Sequence, residues 1–228
     1  MGLLQIPDIV FDVDDVLRSQ GADPAILRAR RPALVTLAEK AIQEGSPLLH
    51  PQVAFREFPV SGIRHDQLVL EGGFFRSAFL VKNLARAQKV VVILATVGDE
   101  LEKHVLDIGS ADILYALALD GVGSAAVEAL ANAACRYFET AVPEQGLQAS
   151  IPFSPGMVGW SVEDGQKDIF RLMDGSESGV RLTESSMMIP RKSLSLVMGM
   201  GSGMTTAEKT CDYCPMQTSC RYQERFET

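Results

Sequence analysis

The hydrophobic positions change their spacing along the chain, and these changes predict alternating helices and strands. Over residues 24–44 the apolar positions recur every three or four residues, which predicts one helix with Asp23 as its N-cap. Residues 89–96 are apolar and mostly β-branched, which is typical of a strand buried on both faces. Residues 111–141 are rich in alanine, leucine and valine and contain no proline, so they predict a long central helix.

Shorter segments complete the predicted fold. The predicted short elements are strands over 53–55, 58–60, 68–70, 180–188 and 194–198 and a helix over 166–173. A turn at 190–192 is expected to join the last two strands. Helices and strands alternate without the regular strand, crossover, strand rhythm of a doubly wound fold, so the sequence predicts an α+β protein.

Two groups of glycines suggest further features. Gly121 and Gly123 lie inside the predicted long helix, where they are expected to allow another backbone to approach closely. The run Gly199-x-Gly201-x-Gly203 does not match a phosphate-binding spacing, so we expect a flexible hinge. The predicted organisation is therefore one α+β domain over 1–198, followed by a hinge and tail over 199–228.

Composition and charge exclude several classes of protein. Apolar residues make up 46% of the chain and charged residues 22%, which is ordinary for a soluble globular protein. The net charge of −8 argues against a nucleic-acid binder, which needs a basic surface. No secretory signal is apparent, and no apolar run reaches the about twenty residues that span a bilayer. We expect a cytoplasmic protein with no membrane partner.

The tail contains the most distinctive chemistry. Cys211, Cys214 and Cys220 form a C-x2-C-x5-C cluster, and closely spaced thiols of this kind are typical of metal ligands. Three ligands leave one position open, so an iron–sulfur cluster, zinc completed by another residue and a redox dithiol all remain possible. Iron–sulfur is favoured over zinc because no histidine lies near the cysteines. Oxidisable surface thiols are the alternative without a metal.

The fourth cysteine, Cys135, lies in an apolar stretch of the predicted long helix. It could in principle complete the metal site. A small buried thiol that only fills space is the simpler interpretation.

Several segments together resemble the activation domain of cobalamin-dependent methionine synthase and its free-standing relatives. The similar segments are Ser154-Pro155-Gly156, then 166–172, then Gly179-Val-Arg-Leu-Thr183-Glu184-Ser185, then 188–190 and 192–195, and upstream 95–98 and 119–128. Leu-Thr-Glu-Ser is the most distinctive of them, and their order matches the loop, helix and closing hairpin of that family. The resemblance covers most of the chain.

The resemblance implies an α+β fold with a twisted antiparallel sheet flanked by helices. It also implies a place over a corrinoid whose cobalt has been oxidised, where an electron donor reduces the metal and S-adenosylmethionine remethylates it. By position, Glu128 corresponds to a carboxylate that contacts this methyl donor. Ser154, Pro155, Gly156, Thr183, Glu184 and Ser185 are the other residues that the resemblance suggests for cofactor binding.

One motif departs from the family. Members that bind the donor have Arg-x-x-x-Gly-Tyr in this loop, whereas residues 152–157 are Pro-Phe-Ser-Pro-Gly-Met. The missing arginine removes a bidentate partner for the donor's carboxylate, which weakens the expectation that S-adenosylmethionine binds.

The resemblance and the cysteine tail together suggest an accessory protein of corrinoid-dependent methyl transfer. It would dock on a cobalamin-carrying methionine synthase or methyltransferase module, take electrons from a donor and support reductive reactivation of the cobalt, with the corrinoid held by the partner. The alternative is a non-catalytic scaffold that binds S-adenosylmethionine or a partner and holds structural zinc. A component of a split methionine synthase is a third hypothesis. No residue is predicted to be catalytic.

Overall fold

The computed structural model describes residues 2–6, 9–142, 146–173, 178–204, 209–218 and 220. The helices are α1 Val13–Ser19, α2 Pro24–Arg30, α3 Pro32–Gly45, α4 Ala78–Leu84, α5 Glu100–Ile108, α6 Ile113–Ala141 and α7 Val162–Leu172. The strands are β1 Gly2–Leu4, β2 Gln52–Arg64, β3 Gln67–Leu70, β4 Gly73–Arg76, β5 Lys89–Thr96, β6 Gln148–Ala149, β7 Arg181–Leu182, β8 Met188–Ile189 and β9 Ser193–Gly201. Short 3-10 helices occur at Ser46–Leu48 and Thr210–Tyr213.

An antiparallel sheet forms the centre of the fold. Its strand order is β4-β3-β2-β5-β9-β6, and β1 pairs with the first half of β2. The fully apolar strand β5 lies between β2 and β9, with Val92 opposite Arg56 on one side and Val197 on the other. The prediction of a strand buried on both faces is confirmed, because Val90 to Ala95 are all inaccessible to solvent.

The long helix α6 covers one face of this sheet. Its residues Ala126, Leu130 and Ala134 pack against inward-facing residues of β2, β5 and β9. Its opposite side packs against α1, α3 and α5. By length and composition α6 could cross a membrane, but two thirds (67%) of its most apolar stretch is buried within the protein. It is therefore a core helix of the domain.

The other face of the sheet is covered by α4, α7 and the loop that contains Trp160. The buried Asp168 of α7 fixes this layer, because its carboxylate accepts from the backbone N–H of Arg76 at 2.7 Å and pairs with Arg171 at 2.9 Å. With helices on both faces of an antiparallel sheet, the α+β prediction is confirmed.

Two predicted elements differ from the structure. The helix expected over 24–44 is two helices, because Pro32 cannot supply the N–H that would continue α2 and the chain bends at Arg31. The expected closing hairpin is also different: β7 pairs only with β8, while β9 joins the main sheet beside β5. The polar turn 183–187 uses its own side chains for hydrogen bonds, which explains why the strands around it are short.

Gly121 and Gly123 allow other parts of the chain to approach α6 closely, but the approaching groups are side chains and not another backbone. A Cβ on Gly121 would lie 2.7 Å from Gln20 Nε2, and one on Gly123 would lie 3.0 Å from Lys192 Cγ. Ser19 uses this space to donate a hydrogen bond to the carbonyl oxygen of Gly121 at 3.0 Å.

The glycine run predicted as a hinge begins inside the sheet. Gly199 and Gly201 are buried in β9, where Gly201 pairs with Gln148 of β6. A Cβ on Gly201 would lie 2.3 Å from the carbonyl oxygen of Arg86, so the glycine is required by packing. The first three residues of the expected hinge are therefore strand, which is a correction. The division into a domain and a tail stays a prediction.

Candidate functional site

A cavity of about 530 Å³ lies between α6, the start of β9 and the cysteine tail. Its wall comprises Ser19, Ser124, Val127, Glu128, Ala131, Asn132, Cys135, Pro152, Ser154, Arg191, Lys192, Ser193, Leu194, Leu196, Thr210, Cys211, Cys214 and Cys220. The wall contains all four cysteines of the chain together with Glu128 and Ser154. The three predicted metal ligands and two of the seven residues predicted for cofactor binding, Glu128 and Ser154, therefore line the same cavity.

One stripe of α6 supplies the polar part of the wall. Ser124, Glu128, Asn132 and Cys135 are four, four and three residues apart, and this spacing places them on the same face of a helix. Asp120, one turn nearer the N-terminus of α6, continues the stripe. The helix buries its sheet-facing side in the core, so the stripe is held in a fixed orientation toward the tail.

The tail is anchored by the tyrosine between its first two cysteines. The Tyr213 ring makes edge contacts with Phe79 and Phe153, with ring centroids 5.2 and 5.9 Å away. The Tyr213 hydroxyl donates to Asn83 Oδ1 at 3.2 Å, and the Tyr213 carbonyl oxygen accepts from the N–H of Val158 at 3.0 Å. These contacts seat the 3-10 helix on the domain and hold Cys211 and Cys214 at the cavity.

The tail thiols influence one another. Partial burial raises the pKa of Cys211, and the nearby Cys220 and Cys214 raise it further. None of the four cysteines forms a disulfide within the described part of the chain. The described residues also contain no group of three His, Cys, Asp or Glu side chains placed to hold a metal ion. The thiols are therefore neighbours around one cavity that do not converge on a single point.

Cys135 differs from the tail cysteines in its surroundings. Its side chain is buried against the apolar core beneath α6, and this desolvation raises the pKa of the thiol to about 12. Glu139 and Glu128 raise the pKa of Cys135 further, because their negative charges disfavour a negatively charged thiolate nearby. In the metal-free protein Cys135 is therefore a neutral thiol.

The cations at the cavity are held by carboxylates. Lys192 Nζ lies 2.8 Å from Asp120 Oδ1 and donates to Ser124 Oγ at 2.8 Å, with 17% of its side chain exposed. Arg191 pairs through Nε with Glu102 at 3.2 Å. These ion pairs tie the segment before β9 to α5 and α6 and fix the rim of the cavity.

A second cavity of about 400 Å³ adjoins the first. Asn132, Cys135, Pro152, Thr210 and Cys211 line both, so they form the partition between the two. Cys135 is on the α6 side of this partition and Cys211 on the tail side. The first tail cysteine and the helix cysteine therefore belong to the same partition.

The remaining predicted cofactor residues do not line either cavity. Pro155 lies against α7, where a Cβ on Gly165 would come within 2.8 Å of its ring, and Gly156 faces Val162. Thr183 and Ser185 hydrogen-bond each other at 3.0 Å in the turn between β7 and β8, with Glu184 exposed between them. Cofactor binding by these residues stays a prediction.

Arg191, Lys192, Ser124 and Asn132 are cavity residues that the sequence did not single out. The helical spacing of Ser124 and Asn132 about Glu128 could have identified them. Nothing in the sequence indicated that the turn at 190–192 meets α6, because that contact depends on β9 joining the main sheet.

Most of the chain has a structural counterpart among known proteins. No family model matches the sequence, and no curated protein matches it either. The fold is similar to that of the crystal structure of the MetH reactivation domain bound to AdoHcy. The TM-score is 0.61 and the identity 14%, with 92% of this chain and 80% of that chain covered. This chain therefore has the fold of the MetH reactivation domain.

Proposed function

We propose that this protein is an accessory protein of corrinoid-dependent methyl transfer in the cytoplasm. It docks on a cobalamin-carrying methionine synthase or methyltransferase module and supports reductive reactivation of the cobalt. The observation that carries the proposal is the convergence of Glu128, Ser154 and the tail cysteines on one cavity of a fold like that of the MetH reactivation domain. A reactivation fold with thiols at its cavity suits the delivery of electrons.

The tail cysteines are proposed to hold an iron–sulfur cluster, with zinc as the alternative. The donor set fits either, because three thiols line one cavity wall and thiolates are the preferred ligands of both. The described side chains do not stand in a ligating arrangement, so binding would draw the thiols together. A bound iron–sulfur cluster would accept and release single electrons.

The chain's own residues would position and shield such a centre. Tyr213 fixes the turn that carries Cys211 and Cys214 to the domain, which limits how far the two thiols can move. The ion pair of Lys192 with Asp120 fixes the rim beside Ser124. Leu194 and Leu196 give another wall of the cavity an apolar surface.

The test of this function uses the anaerobically purified full chain and a methyltransferase module loaded with cob(II)alamin. A low-potential one-electron donor, titanium(III) citrate, is supplied at a concentration that reduces the corrinoid slowly alone. One electron converts cob(II)alamin to cob(I)alamin, which is followed by its absorbance, and the chain returns to its starting state. We expect the wild-type chain to accelerate this reduction.

Matched variants show whether the thiols are responsible. Cys211→Ser and Cys214→Ser are expected to lose the acceleration and the bound iron, while Gln217→Ala, an exposed change in the same tail, keeps both. Absence of any binding between the wild-type chain and the corrinoid module would refute the proposed function. Binding without faster reduction would refute the electron-delivery step alone.

The cavity also favours a second candidate, a non-catalytic scaffold that binds S-adenosylmethionine or a partner and holds structural zinc. The crystal structure of the MetH reactivation domain has AdoHcy bound. In this chain the half-buried Glu128 offers a carboxylate to a cationic ligand. Calorimetric titration of the full chain with S-adenosylmethionine tests this. Heat that disappears in Glu128→Gln but persists in Gln217→Ala would support it, and no heat with the wild type would exclude the donor.

A further inference from the structure

We propose that Cys135 of α6 is the fourth sulfur ligand of the metal centre formed by Cys211, Cys214 and Cys220. This inference rests on the metal centre proposed above and specifies its composition. It makes the centre a bridge between the core helix and the tail.

The first support is placement. The chain has four cysteines, and all four line one cavity although Cys135 and Cys211 lie far apart in the sequence. The second cavity also has Cys135 and Cys211 in its wall, so both belong to the partition between the two cavities, Cys135 from α6 and Cys211 from the tail. Cys135 is the α6 residue that this partition presents to the tail together with Asn132.

The second support is elimination of other ligands. His50, His65 and His104 do not line the cavity, so no imidazole is available to complete the site in the described part of the chain. Glu128 is the carboxylate in the wall, and a hard oxygen ligand suits a thiolate-bound soft metal less well than a fourth sulfur. Four thiolates from one chain match both a closed zinc site and a cubane cluster.

The third support is the space and the anchor. The volume of about 530 Å³ is ample for a metal centre, and all three tail thiols line its wall. Tyr213 anchors the 3-10 helix to the domain, and this anchor holds Cys211 and Cys214 at the cavity. Metal binding displaces the thiol proton of each cysteine ligand.

Zinc is the probe ion for the test. It binds without bridging sulfide, so every sulfur counted around it belongs to a protein side chain. The full chain is loaded with one equivalent of zinc, confirmed to be monomeric, and measured by X-ray absorption at the zinc edge. We expect four sulfurs at about 2.3 Å. Since the chain has four cysteines, a monomer with four cysteine sulfurs must use Cys135.

Variants separate ligation from folding. Cys135→Ala is expected to keep the helix content and thermal unfolding of the metal-free protein, to bind zinc more than about 100-fold more weakly and to show three sulfurs. Asn132→Ala alters the same partition without removing a sulfur and is expected to keep four.

The outcomes distinguish the two proposals. Three sulfurs with one oxygen or nitrogen in the wild type, or unchanged zinc affinity in Cys135→Ala, would overturn the role of Cys135 and leave the tail centre in place. Failure of the wild type to hold either zinc or iron would overturn the metal centre and this inference together, while corrinoid binding would still be measured separately.

Discussion

Replacing Tyr213 should release the cysteine tail from the domain without unfolding the sheet. Two ring pairs, with Phe79 and Phe153, and one hydrogen bond to Asn83 join this residue to the core. An aromatic pair contributes about 0.5–1.5 kcal/mol and a hydrogen bond about 0.5–1.5 kcal/mol. Tyr213→Ala should therefore weaken tail docking by about 2–4 kcal/mol.

The assay is amide hydrogen exchange of the metal-free full chain. The N–H of Val158 is the most direct reporter, because it donates to the carbonyl oxygen of Tyr213 at 3.0 Å. Its exchange should accelerate roughly 30- to 700-fold in Tyr213→Ala, while amides of β5 stay protected. Tyr213→Phe keeps both ring pairs and should show only the smaller loss from the hydrogen bond.

Equal exchange rates of the Val158 N–H in the wild type and in Tyr213→Ala would show that the Tyr213 ring does not hold the tail on the domain. Global destabilisation, with β5 exchanging at the same increased rate, would also contradict the assignment of Tyr213 to tail docking rather than to the core.

Three further predictions follow from packing and charge. Gly201→Ala should lower the free energy of unfolding by about 1–3 kcal/mol, because its Cβ would meet the carbonyl oxygen of Arg86, whereas the exposed neighbour change Ser202→Ala should cost under about 0.5 kcal/mol. A hinge would instead tolerate Gly201→Ala, so unchanged or increased stability in urea unfolding would restore the hinge. Cys135 of the metal-free protein should resist iodoacetamide at pH values where a free thiol reacts, since its pKa is about 12. The pKa of the Cys135 thiol is higher in the folded chain than in the unfolded chain. The contribution of this thiol to the free energy of unfolding is therefore complete below pH 9.0 and falls as the pH rises toward about 12. Asp168→Ala should cost about 1–3 kcal/mol in thermal unfolding, because it leaves a backbone N–H of β4 without its acceptor; Glu163→Ala, which removes only an exposed ion pair of the same helix, is the control.

The sequence predicted the elements whose patterns are long and uniform. The apolar run of β5 and the alanine-rich α6 were placed within two residues of their ends, because β5 is buried on both faces and α6 is buried over much of its length, so each has a long apolar pattern. The Asp23 cap with Pro24 after it was also found, since its side chain accepts from Ala25 and Ile26 at the start of α2. Local chemistry determines these features.

Pairing between distant segments could not be predicted. Residues 180–198 look like a hairpin, yet β9 pairs with β5, about a hundred residues earlier, because hydrophobic alternation does not state which strand lies next to which. The same limit applied to the site. The tail cysteines and Glu128 were each identified as candidates, but their shared cavity depends on how β9, α6 and the tail meet in three dimensions.

The walls of the cavity depend strongly on strand β9 and on the tail that comes after it. Ser193, Leu194 and Leu196 near its start form one wall, and its end at Gly201 leads into the tail whose cysteines face that wall. The strand and the tail that comes after it thus supply two walls of the same cavity. Loss of the tail would remove the wall that carries Cys211, Cys214 and Cys220 and leave β9 paired with β5, so a protease acting on the tail would change access to the site without a change in the sheet.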